Sequence, residues 1–133
     1  MSLHDFHHRP LVYVAGPYRL PNPAGNVGRA VRLADRLQRT GRVTCVVPHL
    51  NILWDTLKEH TPTYWLDYDL ALLARCDALF RIPGESPGSD REIEFAQERG
   101  IPTFSSETEL LYWATQHRAN RAGETARRII EGL

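Results

Sequence analysis

The sequence predicts a single α/β domain built on a parallel sheet of four or five strands, with helices on both faces. Three observations carry this. Four short apolar runs, 11–16, 43–48, 78–82 and 101–104, alternate with segments of helical spacing, so strand and helix follow one another through the chain. The first run, LVYVAG, is apolar throughout, as in a strand covered on both faces. At 133 residues, 42% of them hydrophobic and 24% charged, the chain has the length for one core and the composition to fill it, which excludes a disordered polypeptide.

Each element has its own signal. The strand at 11–16 ends in Gly-Pro, and residues 17–26, with three prolines, read as a loop. From about Asn26 to Thr40, Val27, Ala30, Val31, Ala34 and Leu37 recur at helical spacing among four arginines, and Gly41 ends that helix. A second strand is expected at 43–48. Pro62 interrupts the apolar residues of 49–63, which read as a loop with one helical turn. Residues 64–76, YWLDYDLALLARC, form an apolar helix that must pack on the sheet, followed by the strand 78–82. The turn-rich PGESPGS leads into a helix at 90–99, which Gly100 caps before the strand 101–104. Ser105 and Ser106 cap a helix to about His117, and a separate amphipathic helix is expected at 119–131. Residues 1–10 read as a tail and 11–133 as the domain.

Charge and composition remove several classes of function. Sixteen basic residues balance sixteen acidic ones, so no pull toward a nucleic-acid polymer or an anionic membrane is expected. The balance is uneven: residues 1–42 hold seven Arg against two Asp, whereas 43–117 hold five basic and twelve acidic groups. Lys58 is the only lysine, which excludes a P-loop. Cys45 and Cys76 stand apart, as in a reducing, cytoplasmic setting. There is no apolar run long enough to span a membrane and no signal-peptide pattern, so neither insertion nor export is expected. GxGxxG does not occur, and His4, His7, His8, His49 and His60 form no HxH or HExxH pattern, so no cofactor and no metal is expected.

Ligands of such sheets bind at the carboxyl ends of the strands, which here gathers the loops after Gly16, Pro48 and Pro83. The stretch SPGSDREIEFA, Ser86 to Ala96, is the most informative. A loop of Ser and Gly opening a helix presents backbone N–H groups and a positive dipole end to an anion or hydroxyl. Asp90, Glu92 and Glu94 lie in its first turns, where acids also simply complement the dipole. Asp69 lies in a very apolar helix, where a carboxylate needs a partner or a task unless it faces solvent at the rim; Asp77 reads as a turn residue. Tyr13, Gly16, Pro17 and Tyr18 close the first strand. Trp54, Tyr64 and Trp65 are candidates either for stacking on a planar base or for the core.

VYVAGPYR, YWLDYDLALLARCDALFRIPG and ESPGSDREIEFAQERGIP together resemble the nucleoside 2-deoxyribosyltransferase-like superfamily over about residues 11–105, most nearly its small phage and bacterial branches. The resemblance implies a flavodoxin-like or Rossmann-like domain that cleaves the N-glycosidic bond of a nucleoside 5′-monophosphate or (deoxy)nucleoside, with water or a second base as acceptor. It implies Glu92 as nucleophile, Asp69 as the group assisting proton transfer, and Tyr13 as the residue orienting the nucleophile. Gly16, Pro17, Tyr18, Arg19, His49, Ser86, Gly88 and Ser89 are then the candidate substrate-binding residues.

Ser86 bears on the substrate. Relatives acting on free nucleosides tend to carry an acid at that place, whereas a serine beside Gly88 and Ser89 suits a 5′-phosphate. Arg19 or Arg91 would neutralise the phosphate, and Asp90 opposes it. Pro17 stands where phosphate-binding relatives often carry serine, and SPGSDRE lacks a second glycine before the glutamate. The resemblance further implies a homodimer or homotetramer, with the C-terminal helix as a candidate contact. The competing reading is a non-catalytic nucleotide sensor that uses the same cleft.

Overall fold

The structure is a computed structural model, and it describes residues 4–133, with the side chains of 119–122 outside the description. Four strands form one sheet: β1 (Leu11–Ala15), β2 (Thr44–Val46), β3 (Ala78–Arg81) and β4 (Thr103–Phe104). Their order is β2-β1-β3-β4 and every pairing is parallel, with Tyr13 opposite Val46 on one side and Leu79 on the other. The helices are α1 (Pro23–Arg39), α2 (Asn51–Leu57), α3 (Pro62–Leu73), α4 (Pro87–Glu98) and α5 (Glu107–Glu131). The fold is Rossmann-like, with a flavodoxin-like strand order.

Alternation along β1 divides the core into two layers. Val12 and Val14 pack with Phe80 against Ala30, Leu33, Ala34 and Leu37 of α1 and Leu110 and Ala114 of α5. Tyr13 and Ala15 face the opposite way, toward Leu73 of α3 and Ala96 of α4. Leu33 rather than Val31 completes the buried stripe of α1; Val31 is exposed. The strand order reverses between β1 and β3: the chain leaves β1 toward β2 on one side, then returns to β3 on the other. The carboxyl ends of β1 and β3 therefore diverge and leave a crevice.

Three helices begin earlier than their apolar spacing predicts, for one reason. Asn22, Thr61 and Ser86 each accept a hydrogen bond from the amide three residues on, and each is followed by proline as the first helical residue. Proline there loses no helical hydrogen bond and brings the right φ. Residues read as loop at 23–25 and at 87–89 are thus first turns. The segment 49–63 holds a 3₁₀ turn at Pro48–Leu50, then α2, then the start of α3. The two helices expected after Ser106 are one, α5. Arg36 of α1 grips Glu107 at its start with Nε and Nη2, at 2.8 and 3.0 Å.

Residues 1–3 of the expected tail lie outside the described residues, but 5–10 are pinned to the body. Arg9 is buried, and its Nη1 donates to the carbonyls of Gln38 and Val43 at 3.1 and 3.3 Å. Thr44 donates from its hydroxyl to the Phe6 carbonyl at 2.8 Å. Among the described residues no helix is long and apolar enough to cross a membrane.

Candidate functional site

A cleft of about 570 Å³ opens at the carboxyl ends of β1 and β3, between the loop after β1, the segment after β2, α3 and the start of α4. Glu92 is its buried floor. On α4, Ser89, Glu92 and Ala96 are the buried positions, at i, i+3 and i+7, so the sheet-facing stripe of this helix carries a carboxylate in its second turn. The phenol of Tyr13, fully buried in β1, donates to Glu92 Oε2. Asp69 enters from α3 on the same layer, and Asn51 Nδ2 at the start of α2 donates to its Oδ1 at 2.9 Å.

Burial sets the protonation of this pair. Desolvation is the largest influence on both carboxyls and pushes each up to about 7. Glu92 is raised further by the charge of Asp69, and is lowered by the Tyr13 hydroxyl and by the Arg81 guanidinium. Asp69 is lowered only by Asn51. Burial and the neighbouring Glu92 push Tyr13 well above the ordinary phenol range, so it stays a hydrogen-bond donor. The charge of Asp69 opposes ionisation of Glu92, so the titration of one carboxyl bears on the other. The phenol and the guanidinium favour the negative charge on Glu92, and the Asn51 amide favours it on Asp69.

The rim is built by other residues. Ser86 caps α4, accepting from the Ser89 amide at 3.2 Å and donating to Ser89 Oγ at 2.9 Å. Ser86, Gly88 and Ser89 line the cleft at the helix start, and Arg19 is the one cationic side chain in a lining that also holds Asp55 and Glu85. The loop carrying Tyr18 and Arg19 is held by buried Asn26, whose Nδ2 donates to the Tyr18 and Leu20 carbonyls at 3.0 and 2.9 Å. His49 lines the cleft while nearly fully buried; its Nε2 donates to the Pro17 carbonyl at 3.1 Å, and burial lowers its pKa, so the ring is neutral. Gly16 lines the floor, where a Cβ would stand 2.8 Å from Ile82 Cβ.

The structure thus gathers Glu92, Asp69, Gly16, Tyr18, Arg19, His49, Ser86, Gly88 and Ser89 around one cleft. Tyr13 stands behind Glu92, outside the lining. Pro17 is outside it too, pressed under Gly84: with φ of +129°, a Cβ on Gly84 would come within 2.6 Å of the Pro17 ring. Of the aromatic candidates, Trp65 lines the cleft, its Nε1 donating to Asp55 Oδ1 at 2.6 Å, whereas Trp54 and Tyr64 are exposed. Arg91 is outside the cleft lining and lies 4.0 Å from Glu94. Asp77 is a turn residue, accepting from the Leu11 amide at 2.7 Å.

Asn51, Asn26 and Arg81 escape the sequence reading. Arg81 bonds the carbonyls of Ile82 and Gly84 (2.8 Å to the latter) and approaches Asp90 at 3.5 Å, bracing the loop that leads to Glu92. A charged residue closing an otherwise apolar strand was its only signal. No protein-family model matches this chain, and no curated protein matches it.

Proposed function

We propose that this protein cleaves the N-glycosidic bond of a nucleoside 5′-monophosphate or (deoxy)nucleoside by double displacement, with Glu92 as nucleophile. The observation that carries the reading is the buried Glu92, held by the Tyr13 phenol and facing a cleft that Asp69 shares. Unequal hydrogen bonding gives the two carboxyls unequal tasks. Ionised Glu92 attacks the anomeric carbon, while protonated Asp69 gives its proton to the departing base. A glycosyl ester on Glu92 and an ionised Asp69 result. Asp69 then takes a proton from water, or from the N–H of a second base, as that acceptor attacks the ester and frees Glu92. Tyr13 acts through Glu92 and is a positioning residue.

The start of α4 supports the monophosphate as the preferred substrate. Its first amides, the Ser86 and Ser89 hydroxyls and Arg19 supply donors and positive potential at one end of the cleft. Trp65 and Tyr18 offer apolar surface to a base. The exposed Ile129 and Ile130 of α5, with Leu133 just past its end, support self-association into a homodimer or homotetramer.

The test is a chromatographic screen of ribo- and deoxyribonucleosides and their 5′-monophosphates, each with and without a second free base, for the wild type and Glu92→Gln. Free base released by the wild type alone establishes hydrolysis, and base exchange establishes transfer. Ligand binding by both forms without turnover in either overturns the enzyme and leaves a nucleotide sensor.

A further inference from the structure

We propose that Asp5, His7 and His8 form a binding site for a first-row divalent transition-metal ion of the Zn²⁺ class, at the end of the sheet opposite the cleft. Sequence spacing gave no reason to expect a metal, because no HxH or HExxH pattern is present. The 3₁₀ turn Phe6–His8 supplies what the spacing lacks. At three residues per turn it places Asp5 and His8 over one another, with His7 alongside. Among the described residues this is the group of His, Cys, Asp and Glu side chains whose ligand atoms gather within 4.8 Å of one another.

The separations are those a small cation requires. His7 Nδ1 lies 3.2 Å and His8 Nε2 lies 3.7 Å from the same oxygen, Asp5 Oδ1. Metal–ligand bonds of about 2.0–2.1 Å at tetrahedral angles put neighbouring donor atoms about 3.4 Å apart. Side-chain rotation alone brings all three donors onto one ion. Two imidazole nitrogens and one carboxylate oxygen suit Zn²⁺, Co²⁺, Ni²⁺ or Cu²⁺ and disfavour Mg²⁺ and Ca²⁺, which take oxygen ligands.

The turn is anchored on both sides. The His8 amide donates to the Asp5 carbonyl at 3.3 Å and the Arg9 amide to the Phe6 carbonyl at 3.2 Å, while the Arg9 guanidinium covers the Phe6 ring at 4.7 Å. Thr44, at the start of β2, holds the Phe6 carbonyl. The imidazoles themselves are 78% and 60% exposed, so water completes the coordination and the ion exchanges freely. Because the segment precedes β1, the ion sits away from the carboxyl ends of the strands. Its effect is to fasten this segment over β1 and β2, which raises stability and leaves the cleft chemistry alone.

The test uses the full chain with any affinity tag removed. Zn²⁺ is titrated calorimetrically, Co²⁺ is followed by its visible absorption, and Mg²⁺ serves as the hard-ion control. One equivalent of Zn²⁺ is expected to bind. Asp5→Asn, His7→Ala and His8→Ala should each lower the affinity at least tenfold, and His60→Ala, which removes an imidazole stacked on Tyr64, should change nothing. Zn²⁺ should raise the melting temperature of the wild type and leave that of the His7→Ala/His8→Ala double variant unmoved. Absence of binding to the wild type, or undiminished binding to a double variant that melts normally without metal, overturns the site. Neither outcome touches the Glu92 reading.

Discussion

The Tyr13 hydroxyl donates to Glu92 Oε2 across the boundary between the sheet and α4, joining the middle of β1 to the second turn of a helix 79 residues away in sequence. The bond lies where water is excluded, so it governs the charge of Glu92 and fixes its direction. Tyr13→Phe removes the donor and keeps the ring. Burial and Asp69 then act unopposed by the phenol, and the Glu92 pKa rises above its present value of about 7. The acidic limb of the kcat/KM profile should move to higher pH, with roughly a 10–100-fold loss at neutral pH and partial recovery in alkali. A profile of unchanged shape and lower height would show that Tyr13 has a packing role alone.

Glu92 costs the fold stability when ionised. Its pKa is about 7 in the native state against an ordinary 4.5, so the native protein binds the proton more tightly than the unfolded chain. The associated stability is fully present below about pH 4.5 and is lost as pH rises through about 7. Glu92→Gln removes that dependence while keeping an acceptor for Tyr13. Urea unfolding should find the variant more stable than wild type by roughly 1–3 kcal/mol at about pH 8.5, and the gap should close by about pH 4.5. A destabilised variant at the higher pH would mean that the charge is satisfied in the native state.

Asp69 is assigned to the leaving group, and the assignment separates it from Glu92 by substrate. Asp69→Asn cannot donate the proton, so cleavage of an ordinary base should slow by about 10²–10⁴-fold. A substrate whose leaving group departs as a stable anion needs no proton and should retain most of its rate. Loss of the Asp69 charge also lowers the Glu92 pKa, moving the acidic limb of the surviving reaction to lower pH. Equal losses for both kinds of leaving group would remove Asp69 from acid catalysis.

The fold and the cleft differ in how far they could be read from the sequence. Buried strands and amphipathic helices leave local periodic traces, so the parallel sheet and its two covered faces were visible, as was Gly100 closing α4. Helix starts were misread wherever proline follows the cap, because Pro23, Pro62 and Pro87 look like interruptions until the capping bonds are seen. The one-helix form of α5 had no sequence mark at its centre. In the cleft, Asp69 stood out as a carboxylate inside an apolar helix, and Glu92 through the Ser- and Gly-containing loop that opens its helix. Asn51 and Asn26 do not: an amide in a loop-like segment gains meaning only from the partner that folding brings to it, Asp69 in one case and the Tyr18 and Leu20 carbonyls in the other.

Ser86 combines a structural and a recognition task, and one substitution separates them. Its Oγ caps α4 by accepting from Ser89, so Ser86→Ala should cost about 0.5–2 kcal/mol in stability and weaken a monophosphate more than its nucleoside. Ser86→Asp keeps a capping oxygen and adds a negative charge at the helix start, which the dipole tolerates. That charge repels a 5′-phosphate bound to the same amides and can accept a bond from a free 5′-hydroxyl. The ratio of kcat/KM for a monophosphate to that for its nucleoside should therefore fall at least tenfold in Ser86→Asp while the melting temperature holds near the wild-type value. An unchanged ratio would place the phosphate away from the α4 start and move the search for its site to Arg19 and the loop that Asn26 holds.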